Sequence, residues 1–234
     1  MILLLASLVD KKALAFATEF PNPAAVSVVT CRDIAEDSST FCYPDFLAST
    51  ITLHGQTISV FSIRGVINLL PAVYPDELVF YPPEEREYQA SEFHALLTFF
   101  LSALACPVIN RPTPSSLTGP YLNPIGWYNM AHQLDIPVSS VSLDSDAFVN
   151  PFTPRQSETV VEVSCLGGSV ISRSHTIADD YTITLARAAK VEYLKVVYND
   201  GGQEGLQIIS AHAVPDIANA RTRKALIDFF GRLS

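Results

Sequence analysis

Two hydrophobic rhythms alternate along this chain, one with a period of about 2 residues and one of about 3.6, and their order predicts a succession of strands and helices. Ile2 to Ala6 (ILLLA) has no polar break and reads as a buried strand. Asp10 to Phe20 reads as an amphipathic helix with Leu14, Ala17 and Phe20 near one face, stopped by Pro21 and Pro23. Ala25 to Thr30 is a second, β-branched strand. Strand, helix and strand in that order imply a right-handed crossover and hence a parallel sheet.

Ser49 to Leu53 and Gln56 to Phe61 alternate apolar and polar on either side of His54-Gly55, as a hairpin with a short turn does. The helical rhythm returns over Glu87 to Ala105, where Tyr88, Phe93, Leu96, Phe100 and Leu104 form a stripe and acidic residues in the first turn complement the helix dipole. Pro107 ends it, and Val108 to Asn110 is a brief strand. Pro112 to Pro124 has the composition of a loop, Ile125 to Leu134 of a short helix, and Val138 to Leu143 of another strand. Asp144 to Gln156, rich in Asp, Pro and Asn, reads as an exposed connector.

Glu158 to Ser172 is a hairpin pattern around Gly167-Gly168. Tyr181 to Ala189 is helical, Glu192 to Tyr198 and Leu206 to Ser210 are strands around Asn199-Asp200-Gly201-Gly202, and Arg221 to Leu233 is a last helix. The expected class is α/β: a Rossmann-like parallel-sheet domain over residues 1–112, a linker and connector over 113–157, and a small α+β domain over 158–234.

Composition narrows the classes of function. With 234 residues, 48% apolar and 17% charged, the chain can bury a sizeable core. A net charge of -9 repels phosphate backbones, so nucleic acid is not an expected partner. The start MILLLASLV has no basic n-region and runs into Asp10-Lys11-Lys12, so it reads as a first strand and not a signal peptide. No other apolar run approaches the roughly 20 residues a membrane span needs, and LLTFFLSALA stops at Cys106-Pro107. Cys31, Cys42, Cys106 and Cys165 are scattered without metal-ligand spacing. The expectation is a soluble cytoplasmic protein with reduced cysteines, no metal and no cofactor.

Glu84 to Trp127 joins a charged helix start, an apolar strand and a Pro/Gly-punctuated loop ending on the only Trp. Together with IRGVINLLPAV (Ile63 to Val73), CPVINRPTP (Cys106 to Pro114) and GWYNMAHQLDIPV (Gly126 to Val138), it resembles the lead-in to the nucleotide-binding half of ATP-grasp carboxylate–amine ligases, especially those that modify ribosomally made peptides. The resemblance implies that the first domain is a pre-ATP-grasp domain and that 158–234 is a truncated ATP-grasp-like domain. Where the family carries a lobe with phosphate-holding lysines and a Gly-rich loop, Asp144 to Gln156 has neither lysine nor glycine. Where the family carries magnesium-binding carboxylates on two late strands, the matching positions are near Val197 and Ser210 to His212, without a carboxylate or a Glu-x-Asn pair. Magnesium on phosphates requires hard anionic oxygens, and phosphoryl transfer is mostly positioning and charge neutralisation. The resemblance thus implies a catalytically degenerate protein, acting by binding or assembly beside an active ligase.

The candidate ligand groove is Arg64, Asn68, Glu87, Glu92, Asn110 and Arg111, which the resemblance brings to one edge of the first sheet; Glu–Arg pairs that merely brace a helix are the competing reading. Tyr121, Trp127 and Tyr128 are expected to expose aromatic surface for a protein partner or a homodimer, the alternative being that the second domain closes over it. Two alternatives stay open. A minimal ATP-dependent ligase needs a basic cluster, with Lys190, Lys195 and Arg173 as candidates, and a small-metabolite-binding protein would use the Arg64–Arg111 groove. No spacing joins His212 to His175 or Asp179-Asp180, Ser115-Ser116 and Ser139-Ser140 lack a nucleophile elbow, and Gly167-Gly168 lacks a following Gly-Lys-Ser/Thr.

Overall fold

Strand β1 (Ile2–Leu5) sits inside a parallel sheet because its side chains are apolar in both directions, and Leu3, Leu4 and Leu5 are all buried. Helix α1 (Lys11–Ala17) is capped by Asp10, whose Oδ1 accepts from the amides of Lys12 and Ala13 at 2.9 and 3.2 Å, a cap worth about 1 kcal/mol. Its inward face is Ala13, Phe16 and Ala17, followed by Phe20. Leu14, expected on that face, is exposed, because it lies about 100° round the helix from Ala13. Strand β2 (Val26–Val29) then pairs with β1 in parallel register, Ile2 with Val26 through Leu5 with Val29. The computed structural model describes residues 1–36, 39–42, 44–138, 160–171, 176–200 and 205–232.

After the short helix α2 (Cys31–Glu36), β3 (Thr50–Leu53) and β4 (Gln56–Ser59) form the expected antiparallel hairpin. His54 and Gly55 have φ of +52° and +76°, the left-handed pair that a two-residue hairpin turn demands. Strand β5 (Gly65–Asn68) is buried throughout and pairs with the other side of β1; helix α3 (Arg86–Ala103) leads to β6 (Val108–Ile109), which pairs with β5. The sheet order is β2-β1-β5-β6. The buried stripe of α3 is Ala90, Phe93, Leu97, Phe100 and Leu101, with Leu96 partly buried against it. Tyr88, expected in the stripe, is exposed, since two residues turn it about 200° away from Ala90.

The chain then forms a second unit over Tyr121–Pro215, the first comprising Met1–Pro120 with Asp216–Ser234. The second begins with α4 (Pro124–Gln133), where Asn123 Oδ1 accepts from the Gly126 amide at 2.8 Å. Strands β7 (Val160–Leu166) and β8 (Ser169–Val170) make the expected hairpin around Gly167 and Gly168, both at positive φ. Helix α5 (Thr176–Ala188) precedes β9 (Tyr193–Asp200) and β10 (Leu206–His212), and the antiparallel order is β10-β9-β7-β8. Val138 bridges Ile208 in parallel. The rest of the expected strand Val138 to Leu143, the connector Asp144 to Gln156, and Gly201-Gly202 lie outside the described residues.

Helix α6 (Ala220–Gly231) packs in the first unit, although the sequence reading groups it with the second domain. Gly65 on β5 leaves room for the ring of Phe230, which stands where a Cβ would be. Arg223 Nε donates to the Glu19 carboxylate at 2.9 Å, and its Nη1 donates to the carbonyls of Ile217 and Ala218. A parallel sheet with helices, followed by an antiparallel sheet with helices, is the expected α/β class.

Candidate functional site

The alternation of β7 and β9 sorts their side chains onto two faces. Val161, Val163 and Cys165 oppose Tyr198, Val196 and Leu194, and this face forms a core with Trp127, Tyr128 and Ala131 of α4 and Ala178, Leu185 and Ala186 of α5. The opposite face carries Glu162 and Ser164 on β7, Lys195 and Val197 on β9, and Ser210 and His212 on β10. A register irregularity between Ile208 and Ser210 sets Ser210 directly opposite Val197 and His212 opposite Lys195.

The two positions that the sequence singles out on the late strands are therefore cross-strand partners. Their chemistry is an alkyl group and a neutral hydroxyl. The sequence reading missed Glu162, which the register places beside Val197; its signal is the polar alternation within VVEVSCL, which puts Glu162 and Ser164 on one face. Glu162 is not free to serve a cation, because its Oε2 lies 3.0 Å from Lys195 Nζ. Burial pulls the His212 imidazole below its ordinary value, Lys195 lowers it further, and Glu162 opposes both. An imidazole, a hydroxyl and a carboxylate already committed to a lysine do not fit a hard divalent cation. Among the described residues no three His, Cys, Asp or Glu side chains are grouped where a metal could be held.

The other late candidates lie elsewhere. Asp179 and Asp180 are on α5, which covers the core face, whereas His212 is on the opposite face. Lys190 is exposed just past α5 at a φ of +55°. His175, Arg173 and Ser139-Ser140 lie outside the described residues.

In the first unit the six groove candidates are divided between tasks. Asn68 and Asn110 follow the paired residues Ile67 and Ile109 at the carboxyl edge of the sheet, and both are fully buried. Asn68 is occupied at both ends: Nδ2 donates to Leu117 O at 2.6 Å and Oδ1 accepts from the Leu70 amide at 2.9 Å. That bond, with those from the Leu117 amide and Ser116 Oγ to Pro71 O, stitches the loop after β6 onto the loop after β5. Arg111 donates to the carbonyls of Leu101, Ser102 and Cys106, capping the last turn of α3. Arg64 is exposed just before β5, at the other end of that strand from Asn68. Glu87 and Glu92 are exposed on α3, and Glu87 lines an open cleft of about 400 Å³ with Val73, Pro75 and His94. The six do not converge on one groove.

The expected aromatic surface is also corrected. Trp127 and Tyr128 are buried, because with Ala131 they form the inward face of α4, and Tyr128 Oη donates to Ile209 O at 3.3 Å. Only Tyr121 of that group is exposed. Among the described residues no helix is long and apolar enough to cross a membrane.

No protein-family model and no curated protein matches the sequence. Solved structures do match it in fold. The macrocyclase MdnC of Microcystis aeruginosa MRC, bound with precursor peptide MdnA, superposes with a TM-score of 0.70 at 9% identity over 98% of each chain. A RiPP-associated ATP-grasp ligase from Chryseobacterium gregarium, in complex with ADP and a leader and core peptide, gives 0.67 at 10% identity over 100% of this chain and 97% of that one. The ATP-grasp ligase PsnB, complexed with precursor peptide PsnA2 and AMPPNP, gives 0.71 at 13% identity over 99% and 96%. At such identities the likeness is one of fold, and over nearly its whole length this chain has the fold of the peptide-modifying ATP-grasp ligases.

Proposed function

We propose that this chain is a catalytically degenerate ATP-grasp-like protein that acts by binding or assembly, accessory to an active carboxylate–amine ligase. The observation that carries the reading is the pairing of Val197 with Ser210, where the carboxylate that the register sets beside Val197 among the described residues, Glu162, is tied to Lys195. A site that must neutralise nucleotide phosphates through a divalent cation needs at least one uncommitted carboxylate there. The fold likeness supports the ancestry, and the neighbours' precursor peptides make a peptide or a peptide-carrying protein the partner class to test first.

The test is a calorimetric titration with Mg-ATP. The expected outcome is no binding heat and no thermal shift. A micromolar dissociation constant, lost on replacing Lys195, overturns the proposal in favour of a minimal ligase.

A further inference from the structure

The open cleft of about 400 Å³ in the first unit has Val73 and Pro75 on one side and Glu87, Ala90, Ser91 and His94 of α3 on the other. Its first wall belongs to the segment that leaves the carboxyl end of β5. The chain runs from β1 to β2 on one side and returns to β5 on the other, so the strand order β2-β1-β5-β6 changes direction at β1 and β5. Open α/β sheets hold their ligands outside the strand carboxyl ends at such a switch point.

Glu87, Ser91, His94 and Thr98 recur at i, i+4, i+7 and i+11, a polar stripe about 60° wide beside the buried Ala90. Ser91 Oγ donates its proton to the Glu87 carbonyl at 3.2 Å, so toward a ligand its oxygen can only accept. The Glu87 carboxylate and the His94 ring have no hydrogen bond or ion pair among the described residues, and the buried Thr98 hydroxyl oxygen has no partner there either. The stripe thus carries more hydrogen-bonding capacity than the fold consumes. Between Gly65 and Asn110 Arg86 is the only Lys or Arg, and its guanidinium is spent on the carbonyls of Tyr81 and Val79. It does not neutralise Glu87. A carboxylate and an accepting hydroxyl beside the aliphatic surface of Val73, Pro75 and Ala90 complement a cation that carries several N–H donors on an alkyl stem. A net charge of -9 on the chain raises the local concentration of such cations.

We propose that this cleft binds an alkylguanidinium group, its planar fork on the Glu87 carboxylate, a further N–H on Ser91 Oγ, and its methylenes along Val73, Pro75 and Ala90. The His94 ring stands beside the bound group and reports its arrival. The inference goes beyond the reading of the second unit and does not depend on whether that unit binds Mg-ATP.

Titration with butylguanidine, followed through the His94 ring protons by NMR, tests it against butylurea, a neutral molecule of nearly the same shape. Butylguanidine is expected to bind with a Kd below about 1 mM, and butylurea about tenfold or more weakly, because the charge-assisted bond to Glu87 is lost. Glu87→Gln is expected to weaken butylguanidine about tenfold or more, with circular dichroism unchanged because the side chain is exposed. Glu84→Gln, which removes an exposed carboxylate outside the cleft walls, is expected to change the affinity less than about twofold. A capped alanine–arginine–alanine peptide separates the two sources of the group: tighter binding than butylguanidine assigns it to an arginine of a polypeptide, weaker binding to a free alkylguanidine. Equal binding of butylguanidine and butylurea overturns the proposal. So does equal weakening by Glu87→Gln and Glu84→Gln, which would leave only the diffuse field of an acidic surface, and so does a His94 ring that stays unshifted up to about 10 mM.

Discussion

Glu162 and Lys195 meet diagonally across β7 and β9, carboxylate to ammonium at 3.0 Å, and the lysine is the more enclosed of the two, its side chain 18% exposed against 52%. The pair is thus asymmetric. Removing the glutamate leaves a largely covered ammonium without this partner, whereas removing the lysine leaves a carboxylate that water can reach. His212, opposite Lys195 in the register, senses which of the two is present.

Lys195→Met should raise the titration midpoint of His212 toward its ordinary 6.5 without passing it, because burial, the larger cause, remains. Glu162→Gln should lower it further, since the carboxylate raises it. Ring-proton NMR through a pH series reads both directions. The sign for stability follows: with the folded value below the unfolded one, the unfolded chain binds more protons between them, so stability falls as pH drops from about 6.5 through the folded midpoint. His212→Gln should flatten that part of the urea-midpoint profile.

Gly65→Ala should destabilise the chain by about 1–3 kcal/mol, because the added methyl meets the Phe230 ring in a packed core. Phe230→Ala alone should cost about 3–5 kcal/mol through the cavity it leaves. The double variant should cost clearly less than the sum, the mark of two residues sharing one space. Urea unfolding of the three variants checks it, and strict additivity would show that the contact does not matter.

Asn68→Ala should cost about 1–3 kcal/mol, since it strips partners from the Leu117 carbonyl and the Leu70 amide, on a side chain wholly buried. Asn68→Asp should be no better, because a carboxylate oxygen then faces the Leu117 carbonyl with no proton to share. Hydrogen exchange should rise first in residues 113–118, the loop that this amide holds down.

Thiol reactivity should divide the cysteines. Cys31 is buried and pushed up to about 12, by burial first and then by Glu77 and Asp33; Cys165 is pushed up to about 11, chiefly by burial. Both should stay silent to a disulfide reagent at pH 8 until the chain unfolds. Half-buried Cys42 and Cys106 should react in the native state, Cys106 the more slowly because its thiol is also raised.

Local chemistry was legible in the sequence, and long-range packing was not. Pro21 and Pro23 after the first helix, the left-handed turn at His54-Gly55 and the paired glycines at 167 and 168 each act within a few residues, so the α/β order could be read directly. Helix phase was harder. Leu14, Tyr88, Trp127 and Tyr128 are apolar or amphipathic residues whose side is decided by a rotation of about 100° per residue and by what packs opposite. The Glu162–Lys195 pair joins residues far apart in sequence through a register that no local pattern fixes. The resemblance brings Asn68 and Arg111 to one edge of the first sheet, but no local pattern shows that their hydrogen bonds are spent on neighbouring carbonyls and amides.

The seat of Phe230 against Gly65 also bears on the order in which the molecule can assemble during synthesis. Residues 121–215 form an uninterrupted stretch, so the second unit has all its own strands and helices once that stretch has left the ribosome. The first unit, though its sheet is translated earlier, lacks the helix that fills the space beside β5 until residue 230 emerges. The half of the protein made first is therefore the half completed last, and until then β5 offers an uncovered apolar surface to whatever waits at the tunnel exit.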